Sequence, residues 1–201
     1  MKKGIIIFQK NAELGKVKTR LAASVGDHQA LEIYKTLIYH TYLQIQSIDA
    51  EKLVYFSEYV EPDFKKNENL IHFFIQSKGD LGEKMSNAFR NQFEKGFDKL
   101  LIIGTDCPEI TSEIVDKAFL HLENSEVVIG PAKDGGYYLL GMNRFIPGIF
   151  KNIKWSSDQV LKSTKLFLES NKINHSFLPI LSDVDHLEDW ELFKDKLIQT
   201  K

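Results

Sequence analysis

The stretch Lys99-Leu-Leu-Ile-Ile-Gly-Thr-Asp-Cys-Pro108 (KLLIIGTDCP) decides the fold. Its aliphatic run has the length and composition of a buried β-strand. Asp106 follows this strand directly, in a loop that Pro108 restricts. In α/β sheets, ligands bind beyond the carboxyl ends of the strands. Asp106 is therefore either a ligand for a hard metal ion or a carboxylate that caps its own loop.

Shorter apolar runs and helical patterns alternate on both sides of this strand. Strands are predicted at residues 4–8, 52–56, 70–76, 99–104, 126–130, 137–142 and 176–180. Helices are predicted at residues 27–48, 83–95, 111–122, 158–170 and 187–198. Asp27 is the expected cap of the first helix, and Thr111 of the third. This alternation predicts a single α/β domain over residues 1–201 with a mainly parallel sheet.

The composition excludes several classes of protein. The chain has 201 residues, of which 43% are hydrophobic and 27% charged, as in globular rather than disordered proteins. Lys and Arg number 26 against 28 Asp and Glu, which argues against a general binder of nucleic acid or of anionic membranes. One cysteine excludes a disulfide framework, and we expect a reducing, cytoplasmic compartment. No run approaches the about 18 apolar residues of a membrane span.

The loop after the first strand carries cations at alternate positions, Lys16, Lys18 and Arg20, behind a flexible Gly15. It matches neither the GxxxxGK(S/T) phosphate loop nor the GxGxxG dinucleotide loop, which disfavours a P-loop ATPase and a nicotinamide-binding domain. A loop of this charge that enters a helix presents N–H groups and cations to phosphates. A solvated basic loop is the alternative, and the loop alone does not decide between the two.

The segment before the second helix combines Gln76 with Gly79 and Gly82. Two glycines three residues apart allow a flat ligand such as a nucleobase to approach the backbone closely. A side-chain amide is able to read the donors and acceptors of that base. The alternative is an ordinary turn in which Asp80 caps the helix.

The segment after strand 126–130 contains Asp134, Gly135 and Gly136. These residues either form a hairpin turn or bring another acid and mobile backbone to the same edge of the sheet. Tyr137 or Tyr138 is able to stack on a substrate. Strand alternation turns one of the two towards the core.

Two acids, Asp183 and Asp185, lie on one face of an extended segment before the last helix. One of them completes a hard-metal site with Asp106, whereas Asp189 is better placed to stabilise the helix N-terminus. Cys107 has no histidine at a useful spacing, and we interpret it as a small packed residue. Taken in chain order, the basic loop, the Gln/Gly loop and the acidic loops predict a metal-assisted nucleotide transferase.

Six stretches, in order from end to end of the chain, resemble the small bacterial GT-A-fold transferases named glycosyltransferases or radical-SAM/selenodomain-associated transferases. They are GKVKTRL (15–21), GDLGEKM (79–85), IGTDCPEI (103–110), GPAKDGGYYLLG (130–141), WSSDQV (155–160) and DVDHLEDW (183–190). More distantly, the chain resembles the phospholactate and molybdenum-cofactor guanylyltransferases. The resemblance implies the nucleotide-diphospho-sugar transferase (GT-A) fold, a three-layer α/β sandwich with a mainly parallel sheet.

The resemblance also implies roles for single residues. The implied nucleotide-binding residues are Gly15, Lys16, Gln76, Gly79 and Gly82. The implied catalytic residues are Lys18, Arg20 and Asp106, and the implied ligands of Mg²⁺ or Mn²⁺ are Asp106 and Asp185, with a further role for Asp183 or Asp134 left open. The implied acceptor-side residues are Asp134, Gly135, Gly136, Tyr137, Trp155 and Ser156. Ala12 and Leu14 stand where the family often has prolines, and this departure removes no proposed ligand.

We therefore expect a metal-dependent transferase that uses a nucleotide-activated donor and a small-molecule acceptor. Attack on a sugar carbon would make it a glycosyltransferase acting from an NDP-sugar, which the family name favours. Attack on the α-phosphorus would make it a nucleotidyltransferase, which the cationic loop favours because a triphosphate has more charge to neutralise. A non-catalytic nucleotide-binding module is the third hypothesis, against which the retained acids argue. We expect no nucleic-acid partner and no membrane span, and a homodimer is a further possibility.

Overall fold

A computed structural model describes residues 1–62 and 71–198. The strands are β1 (Lys3–Gln9), β2 (Glu51–Phe56), β3 (Ile71–Ile75), β4 (Lys99–Ile103), β5 (Val127–Pro131), β6 (Tyr137–Met142) and β7 (His175–Phe177). The helices are α1 (Thr19–Val25), α2 (Asp27–Ile45), α3 (Leu81–Glu94), α4 (Ser112–His121), α5 (Val160–Ser170) and α6 (Leu187–Ile198). A short 3₁₀ helix spans Pro147–Phe150.

The strands form one seven-stranded sheet in the order β3-β2-β1-β4-β6-β5-β7. Strands β3, β2, β1 and β4 are parallel to one another, as are β5 and β7. β6 runs antiparallel to its neighbours β4 and β5. The start of β6 therefore lies at the edge of the sheet where the parallel strands end.

Alternate residues of β1 divide between the two faces of the sheet. Ile5 and Ile7 pack in a core with α2 and α4, whereas Ile6 packs in a second core with α3 and α5. All three side chains are fully buried, and burial of a side chain of this size contributes about 1.5–3 kcal/mol. The result is a three-layer α/β sandwich with a mainly parallel sheet, which confirms the predicted fold class.

The ends of the elements correct several predictions. Asp27 does not cap α2, because Gly26 holds the cap position with φ +82° and Asp27 lies in the first turn. α3 begins before residue 83, since the Asp80 carboxylate accepts from the Glu83 N–H and the Glu83 carboxylate accepts from the Asp80 N–H. The predicted Thr111 cap of α4 is confirmed.

Three further differences concern the extent of elements. α1 was not among the predicted helices, α2 ends at Ile45 instead of residue 48, and β7 is shorter than the strand predicted at 176–180. Residue 70, the predicted start of the third strand, lies outside the described residues. Within residues 1–62 and 71–198, none of the helices combines the length and the apolar character that crossing a membrane requires.

Candidate functional site

The carboxyl ends of the central parallel strands open into a cavity of about 590 Å³. We call one group of its lining residues the acidic cluster, which comprises Lys18, Arg20, Asp106, Asp183 and Asp185. We call a second group the α3 wall, which comprises Phe8, Leu81, Lys84, Met85, Ile102 and Tyr137. The cavity lies where a doubly wound sheet is expected to bind its ligand.

Lys18 lies at the centre of the acidic cluster. Its backbone is left-handed, with φ 48° and ψ 43°, at the position that precedes α1. Its ammonium Nζ lies 3.1 Å from Asp106 Oδ2 and 3.6 Å from Asp185 Oδ1. The same Nζ donates a hydrogen bond to the Val184 carbonyl at 2.7 Å. One ammonium thus neutralises carboxylates that come from two distant loops.

Backbone hydrogen bonds hold these two loops together. The Val184 N–H donates to the Asp106 carbonyl at 3.0 Å. The Asp189 carboxylate, in the first turn of α6, accepts from the N–H groups of Asp185 and His186 at 3.0 and 2.8 Å. The predicted role of Asp189 at the helix N-terminus is confirmed. The position of Asp185 is fixed by its own backbone as well as by the cations that it contacts.

Two cations of the first loop share Asp185, and the third has other partners. Arg20 Nη1 lies 2.9 Å from Asp185 Oδ2. Lys16 instead pairs with Glu13 at 2.6 Å and with Glu58 at 3.9 Å. The prediction grouped Lys16 with the other two cations on one phosphate-binding loop. The structure separates Lys16 from the acidic cluster, since its ammonium pairs with other carboxylates and the backbone of Lys18 itself is left-handed.

Asp183 is the most strongly perturbed carboxyl group of the acidic cluster. Burial raises its pKa to about 7, and the negative charges of Asp106 and Asp134 add to this effect, while Lys18 opposes it. The cluster holds more acids than cations. The Asp183 carboxyl group therefore titrates near neutral pH.

The donor atoms of the acidic cluster fit a hard divalent cation. Oxygens of Asp106, Asp185 and Val184 converge on a single cationic group, and carboxylate and carbonyl oxygens are the ligands that Mg²⁺ and Mn²⁺ prefer. Over the part of the chain that the structure describes, no three His, Cys, Asp or Glu side chains are grouped to hold a metal on their own. An ion here would complete its coordination with substrate oxygens and water, as Mg²⁺ commonly does.

The α3 wall is apolar apart from two polar groups. Leu81, Lys84 and Met85 recur at i, i+3 and i+4 on α3 and line the cavity. Lys84 has no carboxylate partner among residues 1–62 and 71–198. The Tyr137 hydroxyl is buried and has no hydrogen-bond partner within the same residues, and burial raises its pKa well above its usual range. The Lys84 ammonium is therefore available to a ligand, whereas the enclosed Tyr137 hydroxyl becomes available only when its neighbouring side chains shift.

Tyr137 is held in place through Trp155 and α3. The rings of Tyr137 and Trp155 pack edge to face with their centroids 6.5 Å apart. The Trp155 indole lies so close to Gly82 that a Cβ there would sit 2.2 Å from its Nε1. Because Gly82 has no Cβ, the Trp155 indole packs directly against it. The prediction assigned Gly82 a nucleotide contact and did not include this packing role. Trp155 itself is not among the residues that line the cavity.

The remaining predicted nucleotide-binding residues lie in turns or at a strand end. Gln76 lines the cavity, and its Nε2 donates to the Tyr55 carbonyl at 3.0 Å. Gly15 and Gly79 have φ values of +74° and +115°, which favour glycine. These two glycines do not line the cavity, so their predicted contact with a nucleotide stays a prediction.

The segment Asp134–Gly136 forms the hairpin turn between β5 and β6. Asp134 Oδ1 accepts from the Gly136 N–H at 2.8 Å. Gly135 has φ +89°, and a Cβ there would lie 2.3 Å from the Asp158 carbonyl oxygen. Neither this turn nor Ser156, which is exposed with φ +58°, lines the cavity. Their predicted acceptor-side role therefore stays a prediction, whereas Tyr137 does line the cavity.

Sequence reasoning missed Tyr34, which supports the floor of the cavity. Its hydroxyl accepts from the Lys10 N–H at 2.9 Å and donates to the Lys10 carbonyl at 3.1 Å, and it lies 3.3 Å from Thr105 Oγ1. Tyr34 lies among the apolar residues that recur along one face of α2, so its spacing in the sequence is that of a core residue. Cys107 is buried, and burial raises the pKa of its thiol, which confirms its interpretation as a packed residue.

The family comparison covers more than half of the chain. A sequence model of the family described as "Uncharacterized protein conserved in bacteria (DUF2064)" matches residues 42–157. No curated protein matched the chain.

Solved structures share this fold over the whole chain. A crystal structure from Desulfovibrio desulfuricans G20, provisionally named a nucleotide-diphospho-sugar transferase, has a TM-score of 0.86 and 28% identity, with 100% of this chain and 98% of that chain covered. A 4-diphosphocytidyl-2C-methyl-D-erythritol synthase from Anaerococcus prevotii DSM 20548 has a TM-score of 0.62 and 12% identity over 98% of both chains. Rv0371c from Mycobacterium tuberculosis H37Rv, in complex with manganese, has a TM-score of 0.58 and 10% identity over 97% of this chain and 99% of that chain. These likenesses confirm the predicted nucleotide-diphospho-sugar transferase fold.

Proposed function

The chain belongs to the DUF2064 family, and from that premise we propose that it is a divalent-metal-dependent transferase that takes its transferred group from a nucleotide-activated donor. The leading form is glycosyl transfer from an NDP-sugar to a small-molecule acceptor. The observation that carries the proposal is the convergence of Asp106 and Asp185 on one cationic group at the carboxyl edge of the sheet. The name of the Desulfovibrio protein, 28% identical, supports the donor class.

Residues of the acidic cluster have defined roles in this proposal. Asp106 and Asp185 would hold Mg²⁺ or Mn²⁺, which supplies neutralising charge to the diphosphate of the donor. Lys18 and Arg20 lie beside the same carboxylates, so they are within reach of phosphate oxygens bound there. They stabilise the negative charge that develops on the departing nucleoside diphosphate. Transfer then needs no nucleophile from the protein, since positioning and electrostatics lower the barrier.

The α3 wall would position the organic parts of the two substrates. Phe8 and Met85 offer apolar surface to a base or a sugar face, and Gln76 offers an amide at the end of β3. Lys84 is able to bind a polar group that a substrate carries into this part of the cavity, and a shift of the side chains that enclose the Tyr137 hydroxyl would add a second polar contact.

The ion pairs of the first loop favour glycosyl transfer over nucleotidyl transfer. The nucleotidyl hypothesis depends on three cations that are free to neutralise a triphosphate. Lys16, Lys18 and Arg20 each lie within 4.0 Å of a carboxylate. In the metal-free protein this loop therefore carries less uncompensated positive charge than three free cations would, which weakens the support that the loop gives to nucleotidyl transfer.

Product analysis tests the proposal. The protein is incubated with UDP-, GDP-, dTDP- and ADP-sugars, or with the four NTPs, together with Mn²⁺ and pools of small hydroxylated and phosphorylated acceptors. We expect release of a nucleoside diphosphate that stops when the metal is chelated. Release of pyrophosphate from an NTP would replace glycosyl transfer by nucleotidyl transfer. Stabilisation by nucleotides regardless of metal, with no turnover of any donor, would instead indicate a binding module.

A further inference from the structure

Lys18 is the most enclosed cation of the acidic cluster. Its side chain is 5% exposed, compared with 69% for Arg20. Three oxygens surround its ammonium, from the carboxylates of Asp106 and Asp185 and from the carbonyl of Val184. The left-handed backbone of Lys18 aims the side chain at this position, and that conformation is uncommon for a residue other than glycine, asparagine or aspartate.

A divalent cation would need the same oxygens that hold the Lys18 ammonium. Two positive charges cannot share a site of this size at low cost, because like charges about 4 Å apart repel by several kcal/mol in a partly buried environment. Metal binding to Asp106 and Asp185 therefore requires the ammonium to leave. The ammonium in turn leaves readily only when another anion accepts it, since an unpaired charge is costly to bury.

We infer that Lys18 is the resident counter-ion of the divalent-cation site, so that the site takes its metal together with a phosphate group that draws the ammonium away. The Val184 carbonyl is the third protein oxygen of that site. The identity of the anion as the diphosphate of a donor rests on the proposed function. The exchange of Lys18 for a metal goes beyond that function, because it makes the binding of the two ligands interdependent.

The fold allows this exchange without loss of the site. The Val184 N–H remains bonded to the Asp106 carbonyl, and Asp189 holds the backbone of Asp185, whichever cation is present. The two carboxylates therefore keep their positions when Lys18 turns towards a phosphate. By thermodynamic linkage, a diphosphate that raises the affinity for metal has its own affinity raised by the same factor.

Titration with Mn²⁺ alone tests the inference directly. Wild type, Lys18→Gln, Lys18→Arg and Lys16→Gln are titrated while free Mn²⁺ is followed by electron paramagnetic resonance. We expect Lys18→Gln to bind Mn²⁺ about tenfold or more tightly than wild type, because it removes the competing charge. Lys18→Arg keeps the charge and should bind as weakly as wild type. Lys16→Gln is the matched control, since Lys16 pairs with Glu13 and Glu58 instead of the acidic cluster, and its metal affinity should not change.

Two further variants assign a gain in Mn²⁺ affinity to this site and guard against misfolding. The double variant Lys18→Gln/Asp106→Asn should lose the gain in affinity, which assigns the gain to this site. Lys18→Met preserves the apolar stem of the side chain, and it replaces Lys18→Gln if circular dichroism shows that the latter does not fold. Equal or weaker Mn²⁺ binding by the folded neutral variant would overturn the inference and leave Lys18 as a structural ion pair.

Interdependence is measured with inorganic pyrophosphate as the probe. In wild type, Mn²⁺ and pyrophosphate together should raise the melting temperature by more than the sum of their separate effects. In Lys18→Gln, the excess over that sum should be clearly smaller, because the direct contact between metal and pyrophosphate remains and only the contribution of the Lys18 exchange is lost; an equal excess in both proteins would contradict the exchange. Because the titration with Mn²⁺ alone contains no nucleotide, its outcome stands apart from whether the protein transfers a group from a nucleotide donor.

Discussion

The acidic cluster and the α3 wall line one cavity but treat their polar groups in opposite ways. In the acidic cluster, Lys18 and Arg20 are each paired with a carboxylate, and two loops are cross-linked by the pairing. In the α3 wall, the Lys84 ammonium and the buried Tyr137 hydroxyl have no partner within the described part of the chain. The first group is a closed network that a ligand has to open. The second holds these two polar groups, of which Lys84 is open to a ligand and the Tyr137 hydroxyl becomes so when its neighbours shift.

This difference separates two tasks within the cavity. A preformed network of charges sets the electrostatics of a transfer reaction. The free energy needed to arrange these charges is already supplied when the protein folds. Unsatisfied polar groups in apolar surroundings discriminate between ligands, because a ligand that does not pair with them leaves them buried and unbonded. We therefore expect changes in the acidic cluster to act on turnover, and changes in the α3 wall to act on substrate choice and stability.

The largest effect is expected from Asp106→Asn in the acidic cluster. It halves the pair of carboxylates proposed to hold the metal, and we expect transferase activity to fall by about a thousandfold or more. Activity is measured at saturating Mn²⁺ with the donor that the product analysis identifies. Asp116→Asn, an exposed change on α4, is the control. Retained activity in Asp106→Asn would move the chemistry away from the acidic cluster.

The second effect is the pH dependence that Asp183 gives to folding. Its pKa of about 7 in the folded protein lies above the value of about 3.9 for an unfolded aspartate. The folded state then binds more protons than the unfolded state between these values, so stability falls as pH rises from about 4 to 7. In metal-free buffer, wild type should lose about 2 kcal/mol of unfolding free energy relative to Asp183→Asn between pH 5 and pH 8.

Urea denaturation of both proteins across this pH range checks the expectation. If the unfolding free energies of the two proteins changed with pH in parallel, solvent would be screening the negative charge around Asp183. The acidic cluster would then be more open to water than its distances indicate. If added Mn²⁺ reduced the difference in unfolding free energy between wild type and Asp183→Asn, the same excess of negative charge would be linked to metal binding.

The fold was predictable because its signals are local. The bounds of β6 and α6 coincide with the prediction, and β4 differs from it by one residue. Run length and periodicity fix such elements within a few neighbouring residues. The position of Asp106 at the edge of the sheet follows from the strand that precedes it. The order of the loops then identified most of the acidic cluster before any distance was known.

The parts that could not be predicted depend on conformation or on distant partners. The alternate spacing of Lys16 and Lys18 suggested one common face. The left-handed backbone of Lys18, with φ 48°, has no marker in the sequence, and the two ammonium groups pair with different carboxylates. The pairing of Gly82 with Trp155 joins residues far apart in the chain. Tyr34 has the spacing of a core residue in α2, and only its contacts with Lys10 and Thr105 reveal its place beside the cavity.

The third effect is expected from Gly82→Ala, which tests whether the α3 wall is rigid. Alanine favours a helix over glycine by about 1 kcal/mol, but its Cβ would lie 2.2–2.6 Å from three atoms of the Trp155 indole. We expect a net loss of about 1–2 kcal/mol and a shift in tryptophan fluorescence, because the indole has to move. Gly104→Ala is the control, since a Cβ there meets nothing within 4 Å. A net gain in stability would show that Trp155 adjusts freely and does not fix Tyr137.

The smallest effect comes from two single hydroxyls, and it is the sharpest test of the comparison. Tyr34→Phe breaks bonds to Lys10 and should cost about 1 kcal/mol, whereas Tyr137→Phe removes a hydroxyl with no partner among the described residues and should cost nothing or stabilise the fold slightly. With substrate, Tyr137→Phe should raise KM several-fold at little change in kcat, because we expect substrate binding to shift the side chains that enclose the hydroxyl and to bring it into contact. Chemical denaturation and steady-state kinetics measure the two quantities. Equal stability losses for both variants would mean that the Tyr137 hydroxyl is bonded in solution, for example to water, and the α3 wall would then be as closed as the acidic cluster.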